Sequence, residues 1–527
     1  MLQYLKKENK YFMRKNVKFL KQLDESRNIQ MMINLIANLV SFAVTLGISF
    51  FLSPYIVQKL GAEANGFITL ANNFISYATL VKTALNSVGS RYIIVSYHRG
   101  EIDKVNKYYS SLFFGDLIIG IASLCVGLAF IFKLENLINI PNNIVFDTKM
   151  LFFLVFCNFS FNTIAAVFSS APYIKNKIYL QSIRDIQCNV IRAILLVVLF
   201  SMFRPRIFYL GIGTIVSGLI LIVYNYIYKC KLVPELKVHK KNFSWSSIKE
   251  LLGQGIWSSV SSLGEMLLSS FDLLIANLFI NVTEMGILSV AKSIPNMIAG
   301  IGQTMASVFF PEMTICYAKN DTKGLVTVVK QSCMIIGAIV TIPLAYLIVF
   351  GSEFYGLWQP TLDSEKLQIL SILTCAGFIL CAGCNSISTI FTVTLHLQEN
   401  ALSVLITGII NTVLTLIFVK TTNIGIYAVA GVSSVVETIR MLTYIVPNAT
   451  KYVGVKITTF YPVIIKSFIS TLILCVLGLG LKQIVFCDTW MKLIIMAVAF
   501  GTIGLCVNFF IMLDKSARNR VLQKIRH

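Results

Sequence analysis

Apolar runs long enough to cross a membrane recur along this whole chain. A bilayer core is spanned by ~20 residues of α-helix, and about fourteen runs of that length can be counted between short polar loops. Charged residues make up 13% of the 527 residues, well below the ~25% that is usual in soluble domains. The sequence therefore predicts an all-α integral membrane protein. Its predicted spans lie near residues 29–53, 66–90, 108–132, 150–170, 178–203, 207–228, 251–280, 285–317, 325–350, 367–395, 401–419, 425–446, 460–481 and 491–513.

The basic residues are concentrated in every second predicted loop. The formal net charge is +21, which in a soluble protein would suggest a nucleic-acid partner. Here the Lys and Arg residues cluster at both termini and in alternate loops, and Arg204 and Arg206 are the main exceptions. Loops rich in Lys and Arg stay in the cytoplasm when membrane helices insert. We therefore predict an even number of spans, both termini in the cytoplasm and no nucleic-acid partner.

A sequence similar to the second predicted span occurs again, with fewer matching residues, about halfway along the chain. The stretch that starts at Leu60 and the stretch that starts at Asn281 correspond when Gly66 is laid on Gly286, and the spans before them also correspond. Two similar halves in a membrane chain are typical of transporters built from repeats, whose substrate site lies between the halves.

A long basic loop that contains Pro234 separates the two halves, so we interpret it as a cytoplasmic linker. The last two spans lie outside the repeat. The predicted organisation is a basic amphipathic cytoplasmic terminus at 1–28, a six-span lobe at 29–230, the linker at 231–250, a second six-span lobe at 251–450, and the last two spans with a basic cytoplasmic tail at 451–527.

Several predicted spans carry polar side chains along one helical face. In the second span, polar residues at three- and four-residue steps share a face that has Lys82 at its edge, and these are Asn72, Ser76, Thr79, Thr83, Asn86 and Ser90. The first, seventh and eighth spans have similar stripes. Such stripes can join helices through interhelical hydrogen bonds, worth ~0.6 kcal/mol each. An ionised group inside a membrane costs at least ~2.5–3.5 kcal/mol, so the lysines and carboxylates in these stripes favour a water-filled cavity.

Charged residues within the spans supply the candidate site. Glu265 and Asp272 lie among serines on one arc of the seventh span, and Lys292 lies in the eighth, where Pro295 should kink the helix. Arg192 is too deep in the fifth span for its side chain to reach the lipid headgroups easily. The candidate cavity residues are Lys82, Arg192, Lys292, Asn72, Asn296 and Gln303, and the candidate ion-coupling residues are Glu265 and Asp272.

Motifs of enzyme chemistry are missing from the sequence. It contains no glycine-rich phosphate loop, zinc-ligand spacing or nucleophile elbow, and its four histidines are scattered. Cys381 and Cys384 form a CxxC only by spacing, because a thiol inside an apolar span is usually a small apolar side chain. We therefore predict no enzyme activity, no metal site and no cofactor.

Two short stretches and the halved layout carry a family resemblance. The stretches read LGAEANGFITLA after the first span and SVGSRYIIVSYHRGEID after the second. The chain resembles the polysaccharide transporter branch of the multidrug/oligosaccharidyl-lipid/polysaccharide (MOP) superfamily, the Wzx-type flippases of bacterial cytoplasmic membranes. The resemblance implies two six-helix lobes around a cavity lined by the first, second, seventh and eighth helices, with the last helix pair available for a lipid tail. It implies a role as cavity-lining charge for Lys82, Arg192, Lys292, Glu265 and Asp272.

The resemblance also implies a substrate and partners. The expected function is the movement of an undecaprenyl-pyrophosphate-linked oligosaccharide between leaflets by alternating access, for capsule, O-antigen or a similar surface polysaccharide. The expected partners are this lipid-linked oligosaccharide, membrane lipids and other membrane proteins of polysaccharide assembly. Glu265 or Asp272 could bind Na⁺ or H⁺ and couple the cycle to an ion gradient, or could pair with the lysines.

Other functions fit parts of the pattern. A MATE-like drug or metabolite exporter of the same superfamily would prefer an acidic or aromatic cavity, and charge reversal at Lys82 should then be tolerated. A flippase for the peptidoglycan lipid precursor would differ in that its loss is lethal. A membrane-embedded glycosyltransferase or polymerase would need a sizeable loop with acidic or histidine chemistry, whereas the long loops here are basic. A structural scaffold has no need for buried charges.

Overall fold

The protein is helical almost throughout the part of the chain that the structure describes. In the computed structural model this part comprises residues 27–484, 487–513 and 518, and it contains no β-strand. The predicted amphipathic helix at the amino terminus lies outside the described residues. The description therefore begins with the first span.

Each of the predicted spans is present as one helix or as two consecutive helices. The first six are α1 (Arg27–Leu60), α2 (Ala62–His98), α3 (Ile102–Phe132), α4 (Val145–Ile164), α5 (Tyr179–Met202) and α6 (Phe208–Leu232). The next six are α7a (Trp245–Ser269) with α7b (Phe271–Phe279), α8a (Val282–Ala291) with α8b (Ser293–Ala318), α9 (Thr322–Trp358), α10a (Ser364–Cys381) with α10b (Asn385–Val393), α11 (Leu397–Thr421), and α12a (Ile426–Arg440) with α12b (Val446–Val453). The last two are α13 (Tyr461–Ile484) and α14 (Trp490–Ile511).

Twelve helical segments within the described residues are long and apolar enough to cross a membrane. Span 2 (α2) and span 10 (α10a with α10b) are not among them: α2 carries the polar stripe, which lowers its hydropathy, and span 10 is divided into two short helices. The prediction of an all-α membrane protein with about fourteen spans is confirmed.

The helices pack mainly against their neighbours within two groups. In the first bundle, as we call α1–α6, α1 packs against α5, and α4 packs against α3 and α6. In the second bundle, α7a to α12b, α7a packs against α11, α8b against α9, and α10a against α12a. Both α13 and α14 pack on α9.

Contact between the two bundles runs along α2, which packs against α7a and α8a. A Cβ on Gly255 of α7a would collide with the carbonyl oxygen of Ala84 in α2, so this close approach requires a glycine. Further along the same contact, Ser259 Oγ donates a hydrogen bond of 2.7 Å to the Leu80 carbonyl.

Because successive spans run in opposite directions, the basic loops all lie at one end of the molecule, which we call the basic end.

Spans 7 and 8 are both interrupted within the bundle. The break in span 7 falls at Ser270 and the break in span 8 at Lys292, one turn before Pro295, where the sequence predicts a kink. A proline has no N–H to bond the carbonyl four residues earlier. That carbonyl belongs to Ala291, and it instead accepts a hydrogen bond of 2.9 Å from Ser371 Oγ on α10a.

The loop between the bundles is fixed to the first one. Val233 and Leu236 are fully buried. The Lys237 backbone N–H donates to the Asn106 side chain at 2.9 Å. The Ser244 N–H, just before α7a, donates to Ser111 Oγ at 3.0 Å. The loop therefore holds the start of α7a against α3.

Candidate substrate cavity

A polar cavity of about 1000 Å³ is lined mainly by the second bundle, with Thr69 and Asn73 of α2 also on its wall. We call it the second-bundle cavity. Of its described lining residues, eighteen carry a hydroxyl or a carboxamide, so the space suits a hydrogen-bonding guest better than an apolar one. These are Thr69, Asn73, Ser269, Ser270, Ser289, Ser293, Asn296, Gln303, Ser307, Thr374, Asn385, Ser388, Thr389, Thr392, Asn400, Ser433, Ser434 and Thr438. The charged lining residues are Glu265, Lys292, Glu437 and Arg440.

A buried ion pair joins the breaks in spans 7 and 8. Lys292 Nζ donates to Asp272 Oδ2, and it donates a second hydrogen bond of 3.1 Å to the Ser269 carbonyl. Asp272 is fully buried, and Lys292 is 9% exposed. The other carboxylate oxygen of Asp272 accepts no hydrogen bond within the described residues. Two charges out of water are stable only as a well-bonded pair, so this contact ties the two breaks together.

A second ion pair lies at the end of α12a. Arg440 donates to both carboxylate oxygens of Glu437, from Nε at 2.9 Å and from Nη2 at 2.5 Å. Its Nη1 donates to Ser403 Oγ of α11 at 3.3 Å. The sequence suggests a structural ion pair near the inner surface for these two residues, and the structure adds that both line the second-bundle cavity.

Glu265 and Asp272 differ in their surroundings, and the break at Ser270 lies between them. Glu265 lines the cavity, whereas Asp272 is fully buried against Lys292 and is not part of the lining. Span 7 has no proline, so the sequence gives no signal for the break. The role of these two residues in ion coupling stays a prediction.

The first-bundle candidates lie elsewhere. Lys82 is half-buried, with its Nζ 5.8 Å from the Phe159 ring centroid, and it interacts electrostatically with Asp116. Asp116 is fully buried and accepts a hydrogen bond of 2.6 Å from Asn86, while its second oxygen has no partner in the described region. Lys82 and Asp116 therefore form a polar cluster of their own inside the first bundle.

Arg192 packs on α6 beside Gly213. The packing is so close that a Cβ added to this glycine would lie only 3.3 Å from Arg192 Cγ. Asn72 is exposed. Neither residue lines the second-bundle cavity, and Lys82 does not line it either. The structure thus brings Lys292, Asn296, Gln303 and Glu265 together, with Asp272 behind them, and leaves the first-bundle candidates outside that space.

Part of the lining comes from helices that the sequence reasoning does not single out. The short helix α10b contributes Ser388, Thr389 and Thr392. Their spacing within SISTIFTVT forms a short polar stripe, and this is the signal in the sequence that could have identified them. Within the described ranges, no three His, Cys, Asp or Glu side chains come together as metal ligands would.

Helices of membrane-spanning length surround a polar cavity, which is the architecture expected of a membrane transporter. The chain belongs to the polysaccharide biosynthesis protein family, whose sequence model matches residues 31–315, more than half of the chain. A relative in Bacillus subtilis (strain 168), described as "Uncharacterized membrane protein EpsK", is 27% identical over 495 residues, which is 94% of this chain and 98% of the relative.

Solved structures share the fold. The lipid II flippase MurJ, in an inward closed conformation, matches with a TM-score of 0.66 at 15% identity, over 90% of this chain and 98% of that one. An inward-facing multidrug resistance MATE transporter of the MOP superfamily matches with a TM-score of 0.63 at 12% identity, over 80% and 98%. The family model thus confirms the predicted membership of a polysaccharide family, and these structures share the fold that the resemblance to the MOP superfamily predicts.

Proposed function

We propose that this protein moves an undecaprenyl-pyrophosphate-linked oligosaccharide from the inner to the outer leaflet of a bacterial cytoplasmic membrane, for the assembly of a surface polysaccharide. The observation that carries the proposal is the second-bundle cavity, a space of about 1000 Å³ among membrane-spanning helices in which eighteen of the thirty-one described lining residues carry a hydroxyl or a carboxamide. A sugar headgroup cannot cross hydrocarbon unaided, because each unpaired polar group costs several kcal/mol. The lining side chains can replace the water around the sugar hydroxyls.

The cavity offers two cations to the pyrophosphate. Lys292 and Arg440 are each bonded to a carboxylate, so a phosphate group has to compete with Asp272 or Glu437 for them. We propose that Lys82 and Arg192 of the first bundle supply further positive charge as the two bundles change their relative positions. Alternate opening at the two ends of the α2 contact would then pass the headgroup across.

The orientation follows from the distribution of charge. We propose that the basic end faces the cytoplasm, with both termini on that side, because Lys- and Arg-rich loops are retained there.

For coupling to Na⁺ or H⁺, Asp272 is better placed than Glu265. A proton or cation on Asp272 would weaken its bond to Lys292 and free that ammonium for phosphate.

A drug exporter is the second candidate function. It is favoured by Glu265, a carboxylate that faces the cavity and forms no ion pair with any described residue. Such a group suits an organic cation. The cavity also suits a peptidoglycan lipid precursor, which differs from our proposed substrate in its sugar and peptide and not in its lipid anchor.

The test is reconstitution of the purified protein into vesicles that contain a fluorescent undecaprenyl-pyrophosphate oligosaccharide. Exposure of the label to a membrane-impermeant quencher is measured beside protein-free vesicles, the Lys292→Ala variant, and vesicles loaded with an organic cation or the peptidoglycan precursor. We expect protein-dependent exposure of the oligosaccharide lipid that Lys292→Ala slows. Transport of the cation alone, or of the precursor alone, would overturn the proposal in favour of the corresponding alternative.

A further inference from the structure

The charges that line the second-bundle cavity do not cancel once Asp272, which is buried against Lys292, is counted with them. Lys292 is neutralised by Asp272 and Arg440 by Glu437. Within the described lining, Glu265 is the one charged side chain that takes part in no ion pair and whose carboxylate accepts no hydrogen bond. The cavity wall therefore carries one uncompensated negative charge.

The backbone at Glu265 is held in place at the cavity wall. The neighbouring residue, Gly264, packs so closely on α11 that a Cβ added to it would lie 2.5 Å from the Leu405 nitrogen. The backbone carbonyl of Glu265 accepts a hydrogen bond of 2.9 Å from Ser269 Oγ. Arg440 attracts the Glu265 carboxylate electrostatically, but the Arg440 guanidinium is already bonded to Glu437 and Ser403. The side chain of Glu265 therefore starts from a fixed point of the wall, and a guest meets its negative charge among hydroxyl groups.

From this arrangement we infer that the second-bundle cavity selects the sugars of the substrate by charge: it accepts neutral or amino sugars, and Glu265 excludes sugars that carry a carboxylate. The inference rests on the proposed function and adds the chemistry of the oligosaccharide. A uronic acid entering the cavity would bring a second carboxylate close to Glu265, and like charges repel strongly where water is scarce. The ammonium of an amino sugar would instead pair with Glu265.

The experiment compares three fluorescent undecaprenyl-pyrophosphate trisaccharides that differ only in their terminal sugar: glucose, glucosamine or glucuronic acid. Flipping is measured at neutral pH in vesicles containing the wild-type protein. We expect glucuronic acid to flip at least about tenfold more slowly than glucose, a factor that corresponds to ~1.4 kcal/mol. Glucosamine should flip at least as fast as glucose.

Variants at Glu265 separate charge from shape. In Glu265→Gln, the ratio of the glucuronic acid rate to the glucose rate should rise at least about fivefold, because the repulsion is gone while the side chain keeps its size. In Glu265→Asp, which keeps the charge, the ratio should stay close to that of the wild type. Glu312→Gln makes the same chemical change at an exposed position of α8b outside the lining, and it should leave all three rates unchanged.

Two outcomes would overturn the inference and leave the proposed function standing. One is equal wild-type flipping of the glucose and glucuronic acid chains. The other is an unchanged ratio in Glu265→Gln with all three rates lowered alike, which would make Glu265 a general requirement of the cycle. No flipping of any of the three lipids by folded protein, as judged by its melting temperature, would contradict the proposed function itself and the inference with it.

Discussion

Gly66 and Gly286 pack backbone against backbone, and a Cβ on Gly66 would lie 3.0 Å from the Gly286 Cα. Glu63 lies three residues before Gly66, and Thr283 lies three residues before Gly286. Thr283 Oγ1 donates a hydrogen bond of 2.9 Å to the Glu63 carboxylate, so this pair has the same sequence separation of 220 positions as the two glycines. The two copies of the sequence repeat therefore meet at their corresponding glycines, where α2 contacts α8a.

This contact predicts the effect of enlarging Gly286. In Gly286→Ala the new Cβ would lie 2.6 Å from the Ala62 carbonyl carbon and 2.8 Å from the Glu63 nitrogen, and neither backbone atom can move aside easily. We expect a loss of ~1–3 kcal/mol in the free energy of unfolding, as is usual for overpacking. The measurement is thermal unfolding in detergent.

The control for this substitution is Gly501→Ala in α14, where no atom lies within 4 Å of the new Cβ. Alanine favours a helix over glycine by up to ~1 kcal/mol, so this variant should be as stable as the wild type or more stable. Equal melting temperatures for Gly286→Ala and the wild type would show that α2 and α8a are not in close contact.

The Asp272–Lys292 pair predicts a strong non-additivity. Asp272→Asn leaves the Lys292 ammonium buried without a counter-charge, which should cost ~3–5 kcal/mol of stability. In the double variant Asp272→Asn/Lys292→Gln no charge is left unpaired, and most of the loss should be recovered. A double-mutant cycle of unfolding free energies measures the coupling.

An exposed pair provides the comparison. Glu101 and Lys104 form an ion pair whose side chains are 39% and 54% exposed. Glu101→Gln should change the melting temperature little, because such pairs are screened by solvent. Simple additivity of the Asp272 and Lys292 substitutions would mean that the two residues are not paired in the folded protein.

The linker contact predicts a dependence on pH. The Tyr97 hydroxyl donates to Glu235 at 2.5 Å and accepts from Lys175 Nζ at 2.6 Å. Partial burial raises the pKa of Glu235, but the Tyr97 hydrogen bond and the nearby Lys175 and Lys229 outweigh this and lower its pKa below the ordinary 4.5. A carboxyl with a lowered pKa stabilises the fold above its unfolded pKa, and the stabilisation is lost as the pH falls through the folded value.

Glu235→Gln should therefore lower the melting temperature at neutral pH. The difference from the wild type should begin to shrink as the pH falls below the ordinary pKa of 4.5, and it should vanish once the pH is below the lowered pKa of the folded protein. Tyr97→Phe removes the hydrogen bond and should reproduce part of the loss at neutral pH. A difference that stays constant with pH would show that the Glu235 charge does not contribute to holding the linker.

The fold was largely predictable from the sequence because spans depend on long apolar runs, which are local. The break in span 8 was also predictable, since Pro295 marks it. The breaks at Ser270 and after Cys381 have no proline, so they depend on contacts with other helices that a single sequence does not show.

The site was only partly predictable. Lys292, Asn296, Gln303 and Glu265 were identified because polar residues in an apolar run stand out. Which charges pair with one another could not be read from the sequence, since Asp272 reaches Lys292 only across two helix breaks. For the same reason the sequence could not tell that Lys82 lies beside Asp116, in a different part of the molecule from Lys292.

If the second-bundle cavity carries the sugar headgroup, a large side chain placed inside the cavity must slow flipping. Thr389 of α10b lines the cavity, whereas Ser201 of α5 is exposed and lies outside the lining. We would measure flipping of the fluorescent undecaprenyl-pyrophosphate oligosaccharide by Thr389→Trp, Ser201→Trp and the wild type. Because an indole in an occupied site costs ~1–3 kcal/mol, the account predicts a flipping rate about tenfold lower for Thr389→Trp and a wild-type rate for Ser201→Trp. A wild-type rate for a correctly folded Thr389→Trp would contradict it.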